Sequence, residues 1–191
     1  MENVVVSIFH IESEAFQAFS ELKQFGQTEN TKLAQALIVK AENGVINVKD
    51  NFDLIDSIGD GYFEGGLIGS LIGILGGPLG VLFGFAVGGV IGGSVGSYEE
   101  LANSALIITV SNKLTNGEVA IIALVQENDE SVLNAIFEKY QVDIVRWDVA
   151  TVAAEIEYQA KARLIADKKE ARREKFDKLI ANIKEKFSKK N

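Results

Sequence analysis

The chain has 191 residues, 47% of them hydrophobic, which supports one core with appendages or two small domains. It has no cysteine and one histidine, His10. That composition excludes disulfides, thiolate catalysis, cysteine metal sites, paired-histidine zinc sites and a Ser-His relay. The net charge of −8 hides an asymmetry, because residues 151–191 hold 12 Lys/Arg against 7 Asp/Glu while residues 1–150 hold 7 against 20. So acidic a body repels phosphate, which argues against nucleic acid as a partner. The opening Met1–Phe9 lacks the basic start and small-residue cleavage site of a signal peptide, which predicts a cytoplasmic chain.

Val4–Phe9 is a β-branched run with the length of a buried strand. Ser13 is placed to cap a helix reaching about Phe25, with Ala15, Phe16, Phe19 and Leu22 at helical spacing. Leu33–Ala41 and Val45–Val48 flank Asn43-Gly44, the strongest short hairpin signal a sequence offers. After a glycine-rich segment, Glu99–Leu114 reads as a helix with Leu101, Ala105, Leu106 and Val110 on one face, although Ile107-Ile108-Thr109-Val110 is β-branched. Val119–Gln126 is a strand, and Asp129 or Ser131 caps a helix through about Tyr140. Val142–Val149 is the last strand and carries the only tryptophan, Trp147, expected in the core or at an interface. The order β-α-β-β-[insert]-α-β-α-β predicts a ferredoxin-like α+β sandwich over residues 1–150, interrupted by an insert at 62–97. Residues 151–191 contain neither proline nor glycine and predict a long basic helix, with Phe176, Leu179, Ile180, Ile183 and Phe187 on its apolar face.

The insert carries the most information. Residues 65–98 bear no charge, and 13 of the chain's 18 glycines lie between Gly65 and Gly96. They recur every fourth position in two registers: Gly65, Gly69, Gly73 and Gly77, then Gly80, Gly84, Gly88, Gly92 and Gly96. On a helix each register is one smooth stripe, and Gly76–Gly80, with the only proline at Pro78, is where a turn would sit. The pattern predicts a glycine-zipper helical hairpin of the small-xxx-small kind found between membrane helices. Each helical glycine costs about 0.8–1 kcal/mol relative to alanine, so such a hairpin needs apolar surroundings to persist. Leu67, Ile68, Leu71, Ile72 and Leu75 on one arm then call for cover, from acyl chains or from the hairpins of other subunits. The second arm, about 30 Å long, matches the roughly 30 Å hydrocarbon core of a bilayer, while the first, about 22 Å, is short for it. The acidic flanks, Asp53 to Glu64 and Glu99-Glu100, run against the usual cytoplasmic Lys/Arg excess.

The glycine registers at 65–96 resemble those of an uncharacterised bacterial family usually described as predicted membrane proteins of unknown function. The likeness extends to the strand Asn116–Val125, to Ser131-Val132-Leu133 and to the closing strand Ile144–Val149. It covers roughly residues 1–150 and implies a fold and a membrane setting, but no catalytic residue.

Other constellations are weaker. The glycine-rich run has no GxGxxG after a strand and no Walker lysine, so a phosphate loop is not indicated. Asp53, Asp56, Asp60 and Glu64 share a helical spacing able to face a divalent cation, but a solvated acidic face is the plainer account, and Gly59 and Gly61 interrupt the helix. His10 is expected to be a hydrogen-bonded structural residue. The sequence implies no catalytic residue, cofactor, metal or small-molecule substrate. Its basic tail can dock on an acidic surface, lie on anionic lipid, or stay solvated. The expectation is a non-enzymatic, membrane-associated homo-oligomer joined through the hairpin, with lipid as its other partner. The competing expectation is a soluble scaffold, ring or shell with the hairpins in its apolar centre.

Overall fold

The structure is a computed structural model that describes residues 1–25, 27–54, 66–75, 106–140 and 142–188. Its elements in order are β1 (Glu2–Phe9), α1 (Glu12–Lys23), β2 (Thr31–Glu42), β3 (Val45–Asp53), α2 (Leu67–Leu75), α3 (Leu106–Lys113), β4 (Val119–Glu127), α4 (Ser131–Phe137), β5 (Val142–Asp148) and α5 (Val149–Ser188). The fold is α+β, built on one antiparallel sheet in the order β3-β2-β4-β1-β5. Contacts divide the chain into residues 1–156, which hold the sheet, and residues 157–191, which hold the rest of α5.

The element order expected from the sequence is present among the described residues. The β2–β3 turn has Asn43 at φ 53° and Gly44 at φ 76°, the positive pair that a two-residue hairpin needs. The β-branched run Ile107–Val110 is helical, because Leu106, Ile107, Val110 and Leu114 form one buried face there. Ser13 does not cap α1: it lies inside the helix, whose cap position is Ile11, with no side-chain hydrogen bond. Asp129 serves α4 from outside, accepting the Ser131 N–H at 2.9 Å.

Both faces of the sheet are covered. Val5, Phe9, Ile121, Ala123 and Ile38 pack against Ala15, Phe19 and Leu22 of α1 and Leu133 and Phe137 of α4. Val4, Val6, Ile8, Ile122 and Leu37 pack against Ile68, Leu71 and Leu75 of α2, the buried side of α3, and Val152 at the start of α5. β2 serves both layers through a register shift against β4 between Leu33 and Gln35, which leaves Ala34 as the extra residue. Leu33 therefore lies on the α1 side although Leu37 and Val39, of the same parity, lie on the other.

Packing on the second face corrects one expectation. Ile68, Leu71 and Leu75 are at most 3% exposed and are covered by the chain's own sheet, so this part of the first arm needs neither lipid nor another subunit for cover.

Candidate association surfaces

Two edges of α2 differ in burial. Ile68, Leu71 and Leu75 are buried against the sheet, whereas Gly69 and Gly73 are exposed. A Cβ added at either glycine meets no described atom within 4 Å. Helical periodicity gives this division: 68, 71 and 75 are spaced by three and four, and 69 and 73 by four along another line. Among the described residues no side chain lies over the exposed edge at Gly69 and Gly73, the geometry that lets a second helix approach closely. Gly65, Gly77, Gly80, Gly84, Gly88, Gly92 and Gly96 lie outside the described residues.

Where the chain re-enters the described structure, a carboxylate holds it. Glu155 on α5, 8% exposed, accepts the Leu106 N–H at 2.9 Å and the Ile107 N–H at 3.0 Å. It thereby satisfies two backbone donors at the start of described α3 from another helix. Burial pushes its carboxyl above the ordinary range, against the pull of the Ile107 and Leu106 donors. The sequence offered only one signal for this residue, an acid set in the apolar stretch Val152–Ile156.

A second polar group closes the opposite layer. Glu127, 2% exposed, ends β4 and accepts the Asn3 side-chain N–H at 3.0 Å and the Arg146 Nε–H at 2.7 Å. Arg146 also donates to Asn134 Oδ1 of α4 at 2.7 Å and lies 3.5 Å from the Glu130 carboxylate. Every partner is a hydrogen-bonded charge or amide, so a buried carboxylate here is matched by a guanidinium. Neither residue is among the sequence candidates: Glu127 lies one position past the expected strand Val119–Gln126, and Arg146 lies inside the expected strand Val142–Val149.

Of the remaining candidates, His10, Trp147 and Asp53 lie among the described residues. His10 Nδ1 lies 2.7 Å from Glu118 Oε1, while Glu118 Oε2 accepts the Thr115 N–H at 2.7 Å and its hydroxyl at 2.9 Å. Burial raises the Glu118 carboxyl, but the Thr115 and His10 contacts outweigh it and hold the group below its ordinary range. That cluster fixes the turn at Gly117, whose φ is 97°, beside the β2–β3 hairpin, where the Asn43 N–H donates to Asn116 Oδ1 at 2.8 Å. Trp147 is half-buried against the α2–α3 layer. Asp53 ends a strand, not a helix, so the proposed helical row of carboxylates does not start there; Asp56, Asp60 and Glu64 lie outside the described residues. Among the described residues no three His, Cys, Asp or Glu side chains meet in a metal-binding group.

The distal part of α5 carries the expected apolar positions. Phe176 is 61% exposed, Leu179 54%, and Ile180 is half-buried; Ile183 and Phe187 continue the backbone register, their side chains outside the description. Among the described residues no helix is long and apolar enough to cross a membrane.

A family profile described as Protein of unknown function (DUF1269) matches residues 62–161, which include α2, α3, β4, α4, β5 and the first turns of α5. No curated protein and no solved structure gives a match.

Proposed function

The chain belongs to the DUF1269 family of proteins of unknown function, and from that premise we propose that it is a non-enzymatic, membrane-associated protein whose copies join through the glycine-bearing segment 62–97, set in or against the bilayer. The observation that carries the reading is the division of α2: its leucine edge is spent on the sheet, and its glycine edge at Gly69 and Gly73 is open to a second helix. The second register, Gly80 to Gly96, supplies a matching stripe in the same uncharged run. Lipid enters because residues 65–98 hold no charge, the condition for a helix set in or against a bilayer. In this arrangement the acidic sheet body stays on the cytoplasmic side, outside the bilayer, where its carboxylates remain hydrated.

A second reading is favoured by the cover that α2 already has. With Leu71 and Leu75 on the chain's own sheet, glycine edges can pair in a soluble homo-oligomer without lipid. Detergent-free fractionation, followed by particle mass and lipid content, separates the two. Co-sedimentation with lipid at a mass several times 20.7 kDa supports membrane association, and lipid-free particles of that size support the soluble assembly. A soluble 20.7 kDa monomer overturns both. Gly84→Leu or Gly88→Leu should reduce particle mass, whereas Leu71→Ile should not.

A further inference from the structure

Over residues 168–177 of α5 the charges are sorted by side, and Lys178, about 160° from Phe176, is the cation on the back. At about 100° per residue, Leu179 and Ile180 fall within about 60° of Phe176, and so do Lys169, Arg172 and Arg173 one to two turns earlier. Lys168 and Lys175 stand about 80–100° to one flank. Glu170, Glu174 and Asp177 lie about 100–160° away on the opposite flank and back. All of residues 168–179 are exposed, including Phe176 at 61% and Leu179 at 54%. The sequence register carries the apolar positions on to Ile183 and Phe187.

Separation of this kind is not needed for solubility, which mixed charge around the helix would serve as well. A ring of cations beside exposed apolar side chains, with the acids turned away, matches a surface that is anionic outside and apolar beneath. We propose that this segment is an interfacial anchor that lies on an anionic phospholipid surface, with Phe176, Leu179 and Ile180 entering the acyl boundary and Lys169, Arg172, Arg173 and Lys175 on the headgroups. The body, with 20 acids against 7 bases in residues 1–150, is repelled by the same surface, so attraction has to be concentrated in the tail.

The anchor is separate from the glycine-bearing segment, and one experiment tells them apart. The full chain is floated with vesicles of phosphatidylcholine alone and of phosphatidylcholine mixed with phosphatidylglycerol, over a range of salt. The expected result is a gain in binding on the anionic vesicles that fades as salt rises. Lys169→Glu/Arg172→Glu/Arg173→Glu should lower anionic-vesicle affinity by more than about a hundredfold, since losing each cation near such a surface costs about fivefold and each added acid is repelled. Phe176→Ser/Leu179→Ser should remove the salt-resistant part of that gain. Both variants change exposed helix positions, and circular dichroism should show unchanged helix content. Binding to neutral vesicles that survives both variants belongs to residues 62–97 and leaves the anchor judged on the anionic gain alone. The proposal is overturned if the full chain shows no anionic gain, or if the gain persists in the charge-reversed variant. Salt-sensitive self-association without an anionic gain overturns it in favour of a protein partner.

Discussion

The layer under α1 and α4 is closed with rings, while the layer under α2, α3 and the start of α5 is closed with aliphatic side chains. On the first face Phe9 meets Phe137 edge-on at 6.3 Å and Tyr140 at 6.0 Å, and Phe19 meets Phe52 at 5.0 Å. On the second the buried side chains among the described residues are leucine, isoleucine, valine and alanine, with Trp147 only half-buried beside them. The polar locks differ in the same sense. Glu127 has a guanidinium opposite it, whereas Glu155 rests on two backbone N–H groups. The ring-lined face is thus joined by short β-α-β connections and a matched ion pair. The other receives helices from the glycine-rich stretch and is held by a carboxylate whose protonation alters the hold.

The largest expected effect tests the packing contrast. Phe19→Ala should cost about 3–5 kcal/mol in urea unfolding, and Leu71→Ala toward the low end of about 2–5 kcal/mol. A Leu71→Ala variant as stable as the parent would mean that α2 does not cover the sheet. Arg146→Ala should cost about 3–5 kcal/mol by stranding the Glu127 carboxylate, and adding Glu127→Gln should recover part of the loss.

Glu155 sharpens the contrast through pH. Glu155→Ala leaves the Leu106 and Ile107 N–H groups without their acceptor and should cost about 1–3 kcal/mol. Because burial raises the folded carboxyl above its unfolded value, the folded chain binds the extra proton between those two values. Glu155's contribution therefore falls as pH rises through that interval. Glu155→Gln should flatten this slope in denaturation curves taken from acid to neutral pH. An unchanged slope would show that the carboxyl is not shifted. The Lys139 hydrogen bond holds Glu21 on the ring-lined side below its ordinary range, so its contribution is lost as pH falls through that lowered value.

The smallest effect has the opposite sign. Gly69→Ala should stabilise the single chain by up to about 1 kcal/mol, since a helical glycine becomes alanine where a Cβ meets no described atom. Gly69→Leu should leave stability near the parent's while reducing particle mass, if the glycine edge joins chains. Equal mass for all three proteins would remove Gly69 from the association surface.

Periodicity made much of this fold legible. The strands, the Asn43-Gly44 turn and most of the apolar faces of α1 and α4 follow from spacing, because one buried face imposes one repeat. Phe16, expected on the α1 face, is 38% exposed, and Ala18 is buried in its place. The cover over Leu71 was not legible, since an apolar helix edge looks the same whether lipid, another chain or its own sheet lies against it. Neither were Glu127, Arg146 and Glu155, because a buried charge is defined by partners 12 to 124 residues away. Single-residue parity was also hidden: only the extra residue at Ala34 explains why Leu33 and Leu37 face apart.

The sheet order carries a consequence for synthesis. β4 lies between β1 and β2, so neither of the first two strands has its inner neighbour until residues 119–127 exist. Ile68, Leu71 and Leu75 therefore leave the ribosome well ahead of the strand that completes their floor. At about 5–20 residues per second, the interval from Leu75 to Glu127 lasts roughly 3–10 s. For that time the uncharged run is the most apolar thing the nascent chain displays, and any apolar receiver can reach it before its own fold does.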